Sequence, residues 1–199
     1  MNNRIITIGR QYGSGGREIG EKLAKRLGFH YYDTLILEKA AERSKLSHNI
    51  IKLYDERLAN KWVSLSRAVD PHDMSHLPLP LRAALSQFEA IEEIGKQGSA
   101  VIVGRCADHV LRDQGNVFSV FVHAEIHHRI DRVAARNHIS KEEAKKRIRN
   151  TDKQRASFYN YYTDKEWGAS ASYNICVDSG LFGIDGTVDL LHTCLQQIR

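Results

Sequence analysis

With 199 residues, 42% of them hydrophobic and 27% charged, the chain is long enough for one domain with a proper core and short for two. Its three cysteines, Cys106, Cys176 and Cys194, are odd in number and form no C-x-x-C pair, which argues against a disulfide framework or a zinc site and fits a reducing cytoplasm. No basic start leads into an apolar run and no apolar segment nears the ~18 residues that span a bilayer, so neither a signal peptide nor a membrane span is expected. The net charge of +5 points instead to an anionic ligand, and no nucleic-acid module signature accompanies it.

Taken in order, the first element is a strand on Ile5, Ile6 and Ile8 that runs into a turn containing Gly13, Gly15 and Gly16. A helix is expected over residues 16–27, with Ile19, Leu23 and Leu27 four apart on one face and Gly28 as its stop. A strand feeding a Gly-rich turn and a helix N-terminus builds a phosphate cradle. Glycines let the backbone approach the ligand closely, and the helix's unpaired N–H groups and positive dipole end meet the anion. The P-loop pattern G-x-x-x-x-G-K-[ST] wants Lys after its last Gly. Gly16 stands there instead, followed by Arg17 and Glu18. The plain alternative is a tight β–α turn that holds no ligand.

Residues 29–33 read as a short strand with a polar end, and Thr34 as the N-cap of a helix carrying Leu35, Leu37, Ala40 and Ala41. This β-α-β rhythm predicts a parallel sheet with ligands at its carboxyl ends. Residues 44–98 break the rhythm. Residues 46–58 are helix-like through Ile50, Tyr54 and Leu58, residues 60–80 are irregular and hold Pro71, Pro78 and Pro80, and residues 81–96 return to helical spacing. The whole reads as a helical insertion whose loop is a mobile cover.

The sheet resumes at residues 100–104, an apolar run that delivers Gly104, Arg105 and Cys106 to its carboxyl edge. After a short helix closed by Leu111 comes a strand over 117–122, then a helix with Arg129, Arg132 and Arg136 on one side. Ser140 and Glu143 form a capping box for a second helix running to Ala156. An aromatic stretch follows over 158–167, then a fifth strand over 173–180 and a closing helix over 188–198.

Four segments in this order resemble the cytidylate-kinase-like branch of the nucleoside monophosphate kinases, which are P-loop phosphotransferases. They are ITIGRQYGSGGREIGEKLAKRLG, YYDT, VIVGRCADHVL, and the run from the arginine-bearing helix through IRNTDKQRA to YNICVDSG. The resemblance implies an α/β fold, a single domain over 1–199 whose five-stranded parallel sheet has the order 2-3-1-4-5 and is flanked by helices. Residues 44–98 would be the acceptor-binding insertion and residues 129–167 an arginine-rich lid. ATP with Mg2+ would be the donor, its γ-phosphoryl passing to CMP, dCMP or a related small phosphorylated acceptor. Such transfer needs in-line positioning and positive charge more than covalent chemistry.

On that reading the amides of residues 13–17 hold the donor's phosphates. Gly13, Ser14, Gly15, Gly16, Arg17, Glu18, Arg132 and Arg136 make up the nucleotide-binding set. Arg17 is the candidate to replace the lysine, gripping phosphate bidentately. It lies one position late, and since each helical position rotates a side chain by ~100° it can instead point to solvent. Ser14 and Asp33 are the candidates to approach magnesium, and no direct metal ligand is assigned. Arg105 would grip the acceptor phosphate, with a structural ion pair as the alternative. Asp33 and Asp152 join it on the substrate side, Asp152 by orienting one of the lid arginines Arg132, Arg136, Arg149 and Arg155. Arg17, Arg105, Arg149 and Arg155 are the catalytic candidates, although a solvated basic face is the common meaning of the lid pattern. Cys106 replaces the family's Asp and lacks a base that would make it a nucleophile. His72, His76, His123, His127 and His128 show no metal-binding spacing. A nucleotide-binding protein without turnover is the rival, and nucleic-acid binding through the helices over 129–155 a weaker one.

Overall fold

A computed structural model describes residues 4–44, 46–56 and 77–197. Strand β1 (Ile5–Arg10) is the centre of a parallel sheet, paired on one side with β3 (Ala100–Val103) and on the other with β4 (Val117–His123). Strand β2 (His30–Tyr32) lies outside β3 and β5 (Ile175–Asp178) outside β4, which completes the order 2-3-1-4-5.

Side-chain alternation divides the core. Ile6, Ile8, Val101, Val103, Val120 and Val122 face helices α1 (Gly16–Leu27) and α8 (Ser179–Gln197), which supply Ile19, Leu23, Val188 and Leu191. Ile5, Ala100 and Ile102 face the other way, onto α2 (Leu35–Ser44), α3 (His48–Leu53), α4 (Leu79–Gln97) and α5 (Ala107–Val110). The inner strands are therefore covered on both faces, which is why they read as unbroken apolar runs. Helices α6 (Ile126–Asn137) and α7 (Lys141–Tyr162) pack on each other through Val133, Ala144 and Ile148.

Several boundaries differ from the sequence reading. Helix α4 begins two residues early, because Pro80 in its first turn has no backbone N–H to lose. Helix α7 runs on through Phe158, Tyr159 and Tyr162, which pack with Phe121 and Tyr173 on the body. Their helical periodicity was masked by aromatic β-propensity. Helix α8 starts directly after β5, nine residues earlier than its periodic stretch, with non-helical Gly183 breaking it. Gly28 caps α1 in the left-handed conformation and Ser140 Oγ accepts the Glu143 N–H, both as the sequence indicates. Leu58, Pro71, His72, His76 and most of the irregular stretch over 60–80 lie outside the described residues. Among the described residues no helix is long and apolar enough to cross a membrane.

Candidate active site

The carboxyl edge of the sheet carries two adjoining constructions. One is the Gly-rich turn. After Arg10 the chain leaves β1, and Gly13 and Gly15 take positive φ (85° and 82°), a conformation that favours glycine. Gly15 is the N-cap of α1, and no side chain caps that end, so the first-turn N–H groups point toward the turn. Ser14 is fully buried and its Oγ donates to the Gln11 carbonyl at 2.9 Å. Ser179 Oγ, at the head of α8, lies 2.5 Å from the Ser14 carbonyl and 3.0 Å from the His123 carbonyl, between which its one proton is shared. The turn is thus held to the ends of β4 and β5.

The arginine-bearing helices close on the same turn. Asp152 of α7 accepts the Tyr12 N–H at 2.7 Å on one oxygen and Arg129 Nη1 at 2.5 Å on the other. Arg132 Nη1 donates to the Gly13 carbonyl at 3.0 Å. The guanidiniums of Arg136 and Arg155 lie 5.4 and 5.7 Å from the Tyr12 ring centroid. Asp152 thus pairs with Arg129 and not, as the sequence reading had it, with one of Arg132, Arg136, Arg149 and Arg155. Arg149 is exposed on α7.

The second construction is a buried ion cluster between β1, β3 and the end of α3. Arg105, 2% exposed, sits just beyond β3 with a left-handed φ of 56°. It makes a bidentate pair with Asp55 (2.8 and 2.9 Å), and Nη1 donates to Asp33 Oδ1 at 3.1 Å and to the Val103 carbonyl at 3.0 Å. Glu56 pairs with Arg10 at 2.5 Å and with Arg155 at 3.1 Å, and accepts the Arg105 N–H at 3.1 Å. Arg17 is turned to Asp33, pairing through Nε, with its side chain 61% exposed. Glu18 faces solvent and pairs with Lys22 at 3.2 Å.

The charges in this cluster set one another. Burial alone would raise the Glu56 carboxyl, but Arg10, Arg155 and Arg105 overcome it and hold it well below the usual range. Asp33 is likewise pulled down by Arg105, Arg10 and Arg17 against its burial. At Asp55 burial wins over Arg105, and that carboxyl is raised. Burial pushes the Cys106 thiol well up, with the Asp108 and Glu56 charges adding to it, so it is a poor nucleophile. Behind the cluster, the space left among Arg10, Arg105, Arg155, Asp108, Tyr159 and Trp167 is ≈20 Å³, about one water. Thr7, whose buried Oγ1 has no hydrogen-bond partner among the described residues, and Tyr173 also line it.

The structure brings Asp33, Arg105 and Arg155 into one cluster and Ser14, Gly15, Arg132, Arg136 and Asp152 around one turn. Sequence reasoning missed Arg10, Asp55, Glu56 and the use of Arg129. A charged residue closing an apolar strand was a signal for Arg10. Asp55 and Glu56 lie in the stretch over 46–58 that reads as helix, but α3 ends at Leu53, and the two carboxylates past its end turn to the sheet edge.

A parallel 2-3-1-4-5 sheet with a Gly-rich turn between its central strand and the next helix defines a P-loop kinase fold. The chain belongs to the cytidylate kinase-like family, whose model matches residues 5–181. It is similar to the cytidylate kinase of Pyrococcus horikoshii, at 23% identity over 195 residues that cover 98% of this chain and 89% of that protein. An uncharacterized protein from Eubacterium ventriosum has the same fold with a TM-score of 0.73 at 25% identity, covering 98% of this chain and 99% of that one. Shikimate kinase from Bacteroides thetaiotaomicron, at 15% identity, shares the fold alone, with a TM-score of 0.58 over 97% of this chain and 98% of its own.

Proposed function

We propose that the protein is an ATP-dependent phosphotransferase of the nucleoside monophosphate kinase type, moving the γ-phosphoryl of ATP to CMP, dCMP or a related small phosphorylated acceptor. The observation that carries this reading is the convergence of a Gly-rich turn and buried guanidiniums on one sheet edge, in a chain of the cytidylate kinase-like family. The turn's amides suit the donor phosphates, with Arg132 and Arg136 beside them and Arg149 brought in from α7. Arg105 and Arg155 suit the acceptor phosphate, which would take the place of the Asp55 and Glu56 carboxylates on their guanidiniums. Arg17 on α1 and Asp33 just past β2 flank this position.

No group of three His, Cys, Asp or Glu side chains fit to hold a metal ion occurs among the described residues. Magnesium would be carried on the nucleotide's own phosphates and water, with the Ser14 hydroxyl and Asp33 as the candidates to approach it. A second reading, a nucleotide-binding protein without turnover, is favoured by Gly16 standing where a P-loop has its lysine. One experiment separates them. Purified protein with Mg·ATP and a panel of nucleoside monophosphates yields diphosphates if the kinase reading holds. Silence across the panel, with ATP still raising the Tm, replaces it by the binding protein.

A further inference from the structure

We infer that Arg10 supplies the positive charge that the absent loop lysine would bring, so that glycine and cation have exchanged places within the turn. The inference rests on the nucleotide reading above. Laying G-x-x-x-x-G-K-[ST] on the chain with Gly15 as its second glycine puts Gly16 at the lysine and Arg10 at the first glycine. The two departures are therefore reciprocal.

The structure shows why they occur together. A Cβ on Gly16 would lie 2.6 Å from Arg10 Cβ and 3.1 Å from Arg10 Cγ, with Val122 behind at 3.5 Å. Real side chains do not approach so closely, so any side chain at position 16 excludes the stem of Arg10 from its present path. That stem runs from the last residue of β1 along the start of α1, through the space a lysine at 16 would enter. Its guanidinium ends over Gly104, where a Cβ would collide with Nη1. Glycine at 104 is required by that approach as well as by its φ of 80°.

The charge thus arrives at the head of the sheet, between the Gly-rich turn and Arg105 and Arg155. Arg17, by contrast, is spread over the surface of α1 toward Asp33. A buried guanidinium with no anion beside it would be strongly destabilising, and Glu56 answers that need at 2.5 Å. Guanidinium has five N–H donors in a planar fork, so Arg10 is able to retain one carboxylate and offer a further N–H to a phosphate oxygen. A lysine reaching from the strand end would present a point charge without that fork.

The test is calorimetric titration of Mg·ADP into the wild-type chain, Arg10→Met, Arg10→Gly, Gly16→Lys and the double variant Arg10→Gly/Gly16→Lys, with thermal melts of each. Arg10→Met keeps the stem and removes the charge. It should weaken ADP binding about tenfold to a hundredfold, the loss of a charge-assisted bond to phosphate. Gly16→Lys alone should fall in Tm, and the double variant should regain the affinity that Arg10→Gly loses. Arg10→Met binding within twofold of the wild type overturns the inference, as does a double variant no better than Arg10→Gly. A Gly16→Lys protein as stable and as tight as the wild type overturns the exclusion on which it stands. If Arg10→Met does not fold, recovery by the double variant decides. A wild-type chain that binds no ADP overturns the nucleotide reading and this inference with it, whereas wild-type binding with an unaffected Arg10→Met overturns this inference alone.

Discussion

Arg105→Ala is the perturbation whose size the structure defines best. The side chain is 1% exposed and satisfies two carboxylates and a carbonyl at once. Truncation leaves Asp33 with Arg17 as its remaining partner, and Asp55, 25% exposed, free to turn toward water. The loss therefore belongs at the low end for breaking a buried pair, about 3 kcal/mol of a usual ~3–5. For a chain of this size that corresponds to a fall in Tm of about 6–12 °C. Differential scanning calorimetry at pH 7 measures it, with far-UV circular dichroism confirming the fold. Arg105→Lys should recover only part, since an ammonium cannot span both oxygens of Asp55. A Tm within about 2 °C of the wild type would show that this network adds little to stability, and the charge accounting for the whole cluster would fail.

Other expectations follow from the same geometry. Gly15→Ala puts a Cβ against Ile184 and 3.1 Å from Arg132 Nη1 at a φ of 82°, so it should cost about 1–3 kcal/mol in urea denaturation; an unchanged midpoint refutes the turn geometry. Asp152→Ala strands Arg129, 8% exposed, and the Tyr12 N–H, which predicts a loss of about 2–3 kcal/mol and weaker ATP binding. Arg149→Ala should leave stability within about 0.5 kcal/mol, being exposed, while lowering kcat about a hundredfold; equal turnover removes Arg149 from the catalytic set.

Acid unfolding has a sign fixed by the cluster. Asp33 and Glu56 bind protons less readily folded than unfolded, so their contribution is complete above their ordinary values of 3.8 and 4.5 and is lost as the pH falls through the lower folded ones. Asp55 and Asp108, raised by burial, work in the opposite sense, losing stability as they ionise. Glu56→Gln should flatten the fall in Tm below pH 4.5; a slope equal to the wild type's would contradict the assignment.

Local pattern was enough for the strand–glycine–helix unit, because it depends on period, on left-handed residues and on caps. Gly13, Gly15, Gly28 and Ser140 behave as their chemistry requires. The apolar runs of β1, β3 and β4 announced a sheet covered on both faces, and the resemblance supplied the order of its strands. Tertiary structure decided what the cations do. A guanidinium sits at the end of a long, flexible stem, and its resting place is set by carboxylates and spaces contributed from far along the chain. Position 17 put Arg17 one residue from the lysine's place, yet Asp33 draws it away. Arg10 looked like a strand end, and only the missing Cβ of Gly16 and the carboxylate of Glu56 bring it to the head of the sheet.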